Sequence, residues 1–160
     1  NLARNGQRIK DLAIGFNPSP YEDYNLVIIH IGGNDILRFT PRKTVEKYLP
    51  AVLGKAKSIS KNVIFIHGGN MGIAPFFHRP IAYIFTQRTK ALRKMFRKSC
   101  KELGAIYIDL FNERNDPESL KYHSKTYYAG DKFHLSGKGY GVWYQRIRNA
   151  MQENNIALSK

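Results

Sequence analysis

Two polar segments contain residue types that acid–base chemistry uses. Asp131 precedes His134 by three residues, just ahead of a helix that the pattern predicts to begin near Ser136. At this spacing the carboxylate can accept a hydrogen bond from one ring nitrogen and leave the other nitrogen facing a cleft. Such a pair would orient a general base. The same spacing also occurs where an aspartate only caps a turn and the histidine is an ordinary surface residue.

Glycine-rich turns supply candidate hydrogen-bond donors. Gly32-Gly33-Asn34-Asp35 follows an apolar run, and its glycines allow a sharp turn and close approach of a ligand. Asn34 offers an uncharged donor, which an oxyanion hole requires, although a turn chosen only for its backbone angles is an equal alternative. Residues 1–7 predict the tail of a strand that enters a turn at Asn5-Gly6. Gly6 could offer a backbone N–H there.

The elements that must position these residues follow from apolar patterns. Three short apolar runs predict strands of a parallel sheet, buried on both faces. They are residues 26–31, 62–67 and 105–110. Helical spacing predicts a helix after Thr40-Pro41 with a kink or break at Pro50. Further helices are predicted over residues 81–103, ending at Gly104, and from about Ser136.

The order of these elements predicts an α/β domain with a parallel sheet and right-handed crossovers. Functional sites in such sheets lie at the carboxyl ends of the strands. The loops that follow the strands should therefore contain the site residues. These loops are residues 32–39, 68–80 and 111–133.

Composition limits the alternatives. The 160 residues suit one domain, and a hydrophobic fraction of 42% excludes a disordered chain. Twenty-six basic and 12 acidic residues give a net charge of +14, which favours contact with anions. The single cysteine, Cys100, excludes an intrachain disulfide. No apolar stretch approaches the roughly 18 residues of a membrane span, and the sequence leaves the localisation unknown.

Together the motifs resemble one family. Gly6, Gly33-Asn34-Asp35 and Asp131 with His134 are similar to blocks II, III and V of the SGNH hydrolases, the GDSL esterases and lipases. The resemblance implies a flavodoxin-like three-layer α/β/α fold with a parallel sheet, and esterase, lipase or thioesterase activity without a metal or other cofactor. It implies that His134 is the general base and Asp131 its orienting partner. The Gly6 N–H and the Asn34 amide would be oxyanion donors, with a third N–H from the nucleophilic serine.

The chain departs from this pattern at its beginning. The family's serine belongs to a Gly-Asp-Ser block that precedes block II, and no Gly-Asp-Ser occurs in the 160 residues. In a flavodoxin-like order the first strand is central, so its absence would leave strand edges unpaired. We therefore expect residues 1–160 to form a single SGNH-like domain that lacks its first strand and is incomplete at the N-terminus. The missing strand could be cleaved off, or it could be held as a separate N-terminal segment that completes the fold.

The loop after the second predicted strand adds candidate substrate contacts. Gly33, Asn70, Phe76 and Phe77 are the residues that we expect to bind substrate. Asn70 could equally belong to a mobile glycine turn. The aromatic density around Phe76 and Phe77 suits an acyl or hydrophobic alcohol group, a lid or ordinary core. His30 and His67 lack the spacing of metal ligands; either could line the floor of the cleft, but packed core positions are favoured.

These observations predict a carboxylic-ester hydrolase whose serine lies upstream of the chain. Its substrate would be an ester with an apolar acyl or alcohol part. One alternative is an acyl (acetyl) transferase of the same fold. Another is a non-catalytic basic module, in which the basic helix over residues 81–103 binds anionic lipid or nucleic acid. Nucleic acid is disfavoured because no recognised binding motif occurs. A solvated helix face would explain the same charges.

Overall fold

The computed structural model describes residues 1–19, 21, 23–117, 119 and 125–156. Within them a parallel sheet has the strand order β1-β2-β3. Its strands are β1 (Val27–His30), β2 (Val63–His67) and β3 (Ile106–Asp109). Ile29 pairs with Phe65, which pairs with Tyr107. All three predicted strands are confirmed; β1 and β3 are one residue shorter at each end, and β2 is one residue shorter at its start.

Helices flank the sheet, and the sequence predicts the three long ones. It does not predict the helix Ile9–Gly15, and the expectation of a loop over residues 32–39 is wrong, since Gly33–Leu37 is helical. The helices are α1 (Ile9–Gly15), α2 (Gly33–Leu37), α3 (Arg42–Lys57), α4 (Ile81–Glu102) and α5 (Gly137–Glu153). A 3₁₀ turn spans Met71–Ile73 between β2 and α4. The mixed α/β class is therefore confirmed. At the amino terminus, the turn at Asn5-Gly6 is confirmed, but residues 1–4 are not assigned to a strand.

The predicted helix ends agree with the structure. Ser136 caps α5 by accepting a hydrogen bond from the Gly139 N–H at 3.3 Å. Gly104 follows α4 with a φ of +65°, a left-handed conformation that glycine adopts without strain. Of the kink or break predicted at Pro50, the break is wrong, since α3 continues through this residue. Pro50 is exposed, so the carbonyl that its ring leaves without a helical donor can be hydrated.

Two apolar layers cover the faces of the sheet. On one face, α1, α3 and α4 pack against Ile29 and Phe65. On the other face, Trp143, Ile147 and Met151 of α5 pack against β2 and β3. β2 is buried along its whole length. This layering places the ends of all three strands between helices.

β1 differs from the prediction of a strand buried on both faces. Ile28 is 52% exposed, and His30 is also exposed rather than packed in the core. The reason is that the apolar side chains of α5 pack against β2 and β3, whereas on β1 Trp143 reaches the His30 ring at the end of the strand, with ring centroids 5.6 Å apart. β1 also pairs only with β2 in the described sheet, so its outer edge is open. His67, in contrast, is buried as expected.

Candidate active site

A cleft of about 290 Å³ opens at the carboxyl ends of the strands. Gly33 and Asn34 of α2, Asn70 of the loop after β2, and His134 of the segment before α5 line it together. Four residues that the sequence singles out are therefore brought to one place. Tyr140 and Trp143 of α5 close another side.

His134 and Asp131 form a direct pair at the rim of this cleft. Nδ1 of His134 lies 2.6 Å from Oδ2 of Asp131. Oδ1 of Asp131 accepts the backbone N–H groups of Phe133 and His134 at 2.9 and 3.0 Å. The bond from His134 and then these N–H groups lower the pKa of Asp131 to about 2. The pairing uses Nδ1, so Nε2 is the ring nitrogen that can exchange a proton with a substrate or nucleophile.

Backbone contacts fix the segment that presents His134. Tyr128 and Leu135 form an antiparallel bridge, and the Ala129 N–H donates to the His134 carbonyl at 2.8 Å. The Ser136 N–H donates to the Tyr127 carbonyl at 3.0 Å. The histidine is thus held by a short hairpin-like segment. Lys132, between the paired residues, adopts a φ of +60°, which closes the turn.

Asn34 lies in the first turn of α2. The start of α2 requires a glycine at position 32. Gly32 has a φ of +107°, and a Cβ at this position would come within 2.8 Å of the Phe96 ring. The Asn34 side-chain amide donates to the Gln7 carbonyl at 3.2 Å. An amide nitrogen has two hydrogens, so one donor remains for an oxygen in the cleft.

Asp35 ties the amino-terminal segment to the same helix. It is buried, and its Oδ2 accepts the Ile9 N–H at 3.0 Å. Burial raises the pKa of this carboxyl group, while the Ile9 N–H acts in the opposite direction. Asn34 and Asp35 therefore hold Gln7 and Ile9. In the sequence, Asp35 stands out only as part of the Gly-Gly-Asn-Asp motif. The signal for its structural role is its residue type, because aspartate near a helix start often accepts backbone N–H groups.

Arg88 of α4 clamps the far end of α2. Its Nε donates to the Ile36 carbonyl at 3.1 Å, and its Nη2 donates to the Asp35 and Thr40 carbonyls at 3.2 and 3.1 Å. From the sequence, Arg88 is one of the basic residues of the helix predicted over residues 81–103. The structure shows that it is a positioning contact for the helix that presents Asn34.

Gly6 lies beside the cleft rather than in its lining. Its φ is +73°, and it lines an adjoining groove of about 540 Å³ that runs along the open edge of β1. Residues 1–7 form one wall of this groove, and Ile28 belongs to the β1 wall. His30 and Asn34 line both cavities, so the groove leads into the cleft.

The other predicted substrate contacts have structural partners. Asn70 lines the cleft, but its side chain donates to the Asn112 carbonyl at 3.2 Å and accepts the Gly72 N–H at 3.1 Å. Phe76 and Phe77 are absent from the described lining and pack against Phe133 instead, with ring centroids 6.2 and 5.6 Å apart. The Phe76 and Phe77 rings therefore support the residue next to His134 instead of lining the cleft.

The apolar part of the cleft comes from other side chains. They are Leu37, Met71, Ile73, Ala74, Leu110 and Leu135. In the described ranges no three His, Cys, Asp or Glu side chains cluster closely enough to hold a metal ion. Nor does any helix in the described part of the chain have the length and apolar character to cross a membrane.

An α/β fold with a His–Asp pair and an asparagine donor at the carboxyl ends of parallel strands has the layout of an SGNH-type hydrolase. The profile of the GDSL-like lipase/acylhydrolase family matches residues 1–142, and the chain belongs to this family. This confirms the resemblance seen in the sequence motifs. The family supports esterase or acylhydrolase activity.

A solved structure extends the comparison. An acetyl xylan esterase from Geobacillus stearothermophilus matches with a TM-score of 0.65 and 17% sequence identity. The match covers 97% of this chain and 71% of that chain. At this identity the likeness shows a shared fold. No curated protein sequence matches the chain.

Proposed function

We propose that the protein is a carboxylic-ester hydrolase in which His134 is the general base and Asp131 orients it. The observation that carries this proposal is the 2.6 Å contact between the two side chains at the rim of a cleft that Asn34 also lines. Asn34 and the Gly6 N–H donate hydrogen bonds to the oxyanion. The match to an acetyl xylan esterase makes short-chain acetyl esters the first substrates to assay.

The nucleophilic serine comes from a strand that pairs with the open edge of β1. Support comes from the groove along that edge, from the exposed Ile28 in its wall, and from the way the groove leads to His30 and Asn34. A strand parallel to β1 in this groove would end beside the cleft. A hydroxyl there would lie beside the cleft that His134 lines.

The chemistry then follows two steps. The serine oxygen attacks the acyl carbonyl while Nε2 of His134 takes the hydroxyl proton, and Asp131 stabilises the imidazolium. Collapse of the tetrahedral intermediate breaks the ester bond, and the histidine returns the proton to the leaving alcohol. Water, deprotonated by the same histidine, releases the acid. In the tetrahedral states, Asn34 and Gly6 stabilise negative charge in a preorganised site.

The experiment uses the natural full-length protein with p-nitrophenyl acetate and a fluorophosphonate probe. His134→Ala should abolish both turnover and labelling, because the serine then lacks its base. His78→Ala is the matched control, since this exposed histidine is not among the described residues that line the cleft. Full activity of His134→Ala would overturn the triad assignment.

Mass spectrometry of the labelled protein tests the origin of the nucleophile separately. A labelled serine in a segment preceding Asn1 is the expected result. A label on any serine within residues 1–160 would overturn this part of the proposal. Product analysis with a competing alcohol distinguishes hydrolysis from acyl transfer.

A further inference from the structure

The basic residues of α4 divide into two groups. Five of them have partners within the chain: Arg88 binds carbonyl groups, Lys90 pairs with Glu113, Arg93 and Arg97 pair with Asp109, and Lys98 pairs with Glu102. The side chain of Lys90 lies 2.7 Å from Glu113, and both arginines lie 2.6 Å from the carboxylate of Asp109. Most basic side chains in the middle of α4 therefore have partners within the chain.

The N-terminal end of α4 presents a different surface, which we name the α4-end patch. Five large apolar side chains there are between 43% and 66% exposed. They are Phe39, Phe76, Ile81, Tyr83 and Ile84. Single exposed apolar residues are normal on proteins, but a group of this size marks an interaction surface.

Contacts within the chain connect four members of the α4-end patch, and the fifth, Ile81, begins the helix that carries Tyr83 and Ile84. The Arg88 guanidinium lies 4.5 Å from the centre of the Phe39 ring, and Phe39 contacts Phe85 at 5.6 Å. Phe77 joins Phe85 to Phe76, at centroid distances of 4.6 and 5.1 Å. Tyr83 and Ile84 share a surface hollow of about 240 Å³ with Arg42 and Arg88.

A basic rim surrounds the α4-end patch. Arg38, Arg42, Lys43, Arg79 and Lys132 are exposed in the segments that form or adjoin it. Residues 38–45 and 76–88 contain no acidic residue. The nearest acids along the chain are Asp35, which is buried, Glu46, one turn beyond Arg42, and Asp131, which is bound to His134. The local charge is therefore strongly positive.

We propose that the α4-end patch binds the surface of a bilayer that contains anionic phospholipids. Aromatic and aliphatic side chains would enter the headgroup boundary while the arginines and lysines contact lipid phosphates. A second copy of the chain fits poorly, because it would bring two basic rims together. Nucleic acid could stack on the aromatic side chains but would leave Ile81 and Ile84 without an apolar partner.

The position of the α4-end patch relates it to the cleft. Phe76 contacts Phe133, and the Phe133 ring lies 4.9 Å from that of His134. Docking through this patch would bring the cleft mouth close to the lipid surface. Binding itself does not depend on the proposed hydrolysis, so the two proposals can fail separately.

The test measures co-sedimentation of the natural full-length protein with vesicles of phosphatidylcholine, alone or mixed equally with phosphatidylglycerol. We expect binding to the mixed vesicles that weakens at high salt, and little binding to phosphatidylcholine alone. The double variant Arg42→Gln with Lys43→Gln should lower the partition coefficient about 30-fold, or about fivefold for each charge. Lys98→Gln with Lys101→Gln is the matched control, because it removes the same charge at the other end of α4.

A second pair of variants tests the apolar part. Tyr83→Ser with Ile84→Ser should lower binding at least tenfold, by order of magnitude. Ile14→Ser with Tyr21→Ser removes exposed apolar side chains elsewhere and should bind normally. Thermal melts check that each variant is folded.

Three results would overturn the proposal. One is an equal loss of binding for the Arg42/Lys43 double variant and its Lys98/Lys101 control, because net charge alone would then explain the binding. The second is RNA binding that depends on Arg42 and Lys43 without vesicle binding. The third is a dimer that the Tyr83 and Ile84 variants dissociate, again without vesicle binding.

Discussion

Gly139 joins α5 to the segment that presents His134, and its replacement by alanine tests how tightly that segment is held. Gly139 is buried in the first turn of α5. An added Cβ would lie 2.3 Å from the Tyr127 carbonyl oxygen and 3.0 Å from Cβ of Leu135. Because the Ser136 N–H also binds the Tyr127 carbonyl, neither backbone can move without disturbing this connection.

The structure gives the size of the expected effect. An ordinary carbon–oxygen contact is roughly 1 Å longer than 2.3 Å, so α5 and the His134 segment must separate by about that distance. Overpacking of this kind costs about 1–3 kcal/mol, and the higher helix propensity of alanine offsets about 1 kcal/mol. The net cost is therefore up to about 2 kcal/mol, and the Gly139→Ala variant should melt up to about 8 °C lower. A displacement of about 1 Å at His134 should lower turnover up to about 100-fold.

Gly141 supplies the matched control in the same helix. It is exposed, and an added Cβ would meet nothing within 4 Å. Gly141→Ala should raise the melting temperature by about 2–4 °C, since alanine favours the helix by about 1 kcal/mol, and leave turnover unchanged. Differential scanning calorimetry and p-nitrophenyl acetate hydrolysis measure both effects. If Gly139→Ala kept normal stability and turnover, the reasoning from this contact would be refuted.

Three further variants or measurements address the site and the core. Asn34→Ala should lower kcat for p-nitrophenyl acetate by about 10²–10³ with a smaller change in KM, and a change in KM alone would instead indicate a binding role. The lowered pKa of Asp131 makes its stabilising bond to His134 complete above about pH 4 and lost as the pH falls through about 2. Asp131→Asn should therefore lower the melting temperature near neutral pH and have no effect below about pH 2, as thermal melts across this range would show. Burial raises the pKa of Cys100 to about 12, so Ellman's reagent should react with this thiol only after denaturation.

The strands and long helices could be predicted because their signals are local. Apolar runs and helical spacing place each long element within about two residues of its observed bounds. The exposure of Ile28 could not be predicted, because it depends on which strands α5 covers. The short helix α1 was missed for another reason. It buries only Ile9 and Ala13, which is too few residues to make a periodic pattern.

The site was predictable only as far as its motifs extend along the chain. Asn34 and His134 belong to short patterns, and both line the cleft. Phe76 and Phe77 belong to no such pattern. Their apolar character suits substrate binding and internal packing equally, and the structure shows them packed against Phe133. Gly6 lies in a separate groove because of the fold around β1, and the turn at Asn5-Gly6 alone could not predict this position.

The contacts that place Asn34 come from distant parts of the chain, and they explain why an aspartate follows the asparagine. Asp35 reaches back 26 residues to the Ile9 N–H, and Arg88 reaches from α4 to carbonyl groups 48 to 53 residues away. The first contact fixes the segment that contains Gly6 relative to α2, and the second fixes α2 relative to the core. An alanine at Asp35 would leave the Ile9 N–H buried without its acceptor. The two proposed oxyanion donors therefore share one support, so a substitution that loosens α2 would displace both donors together.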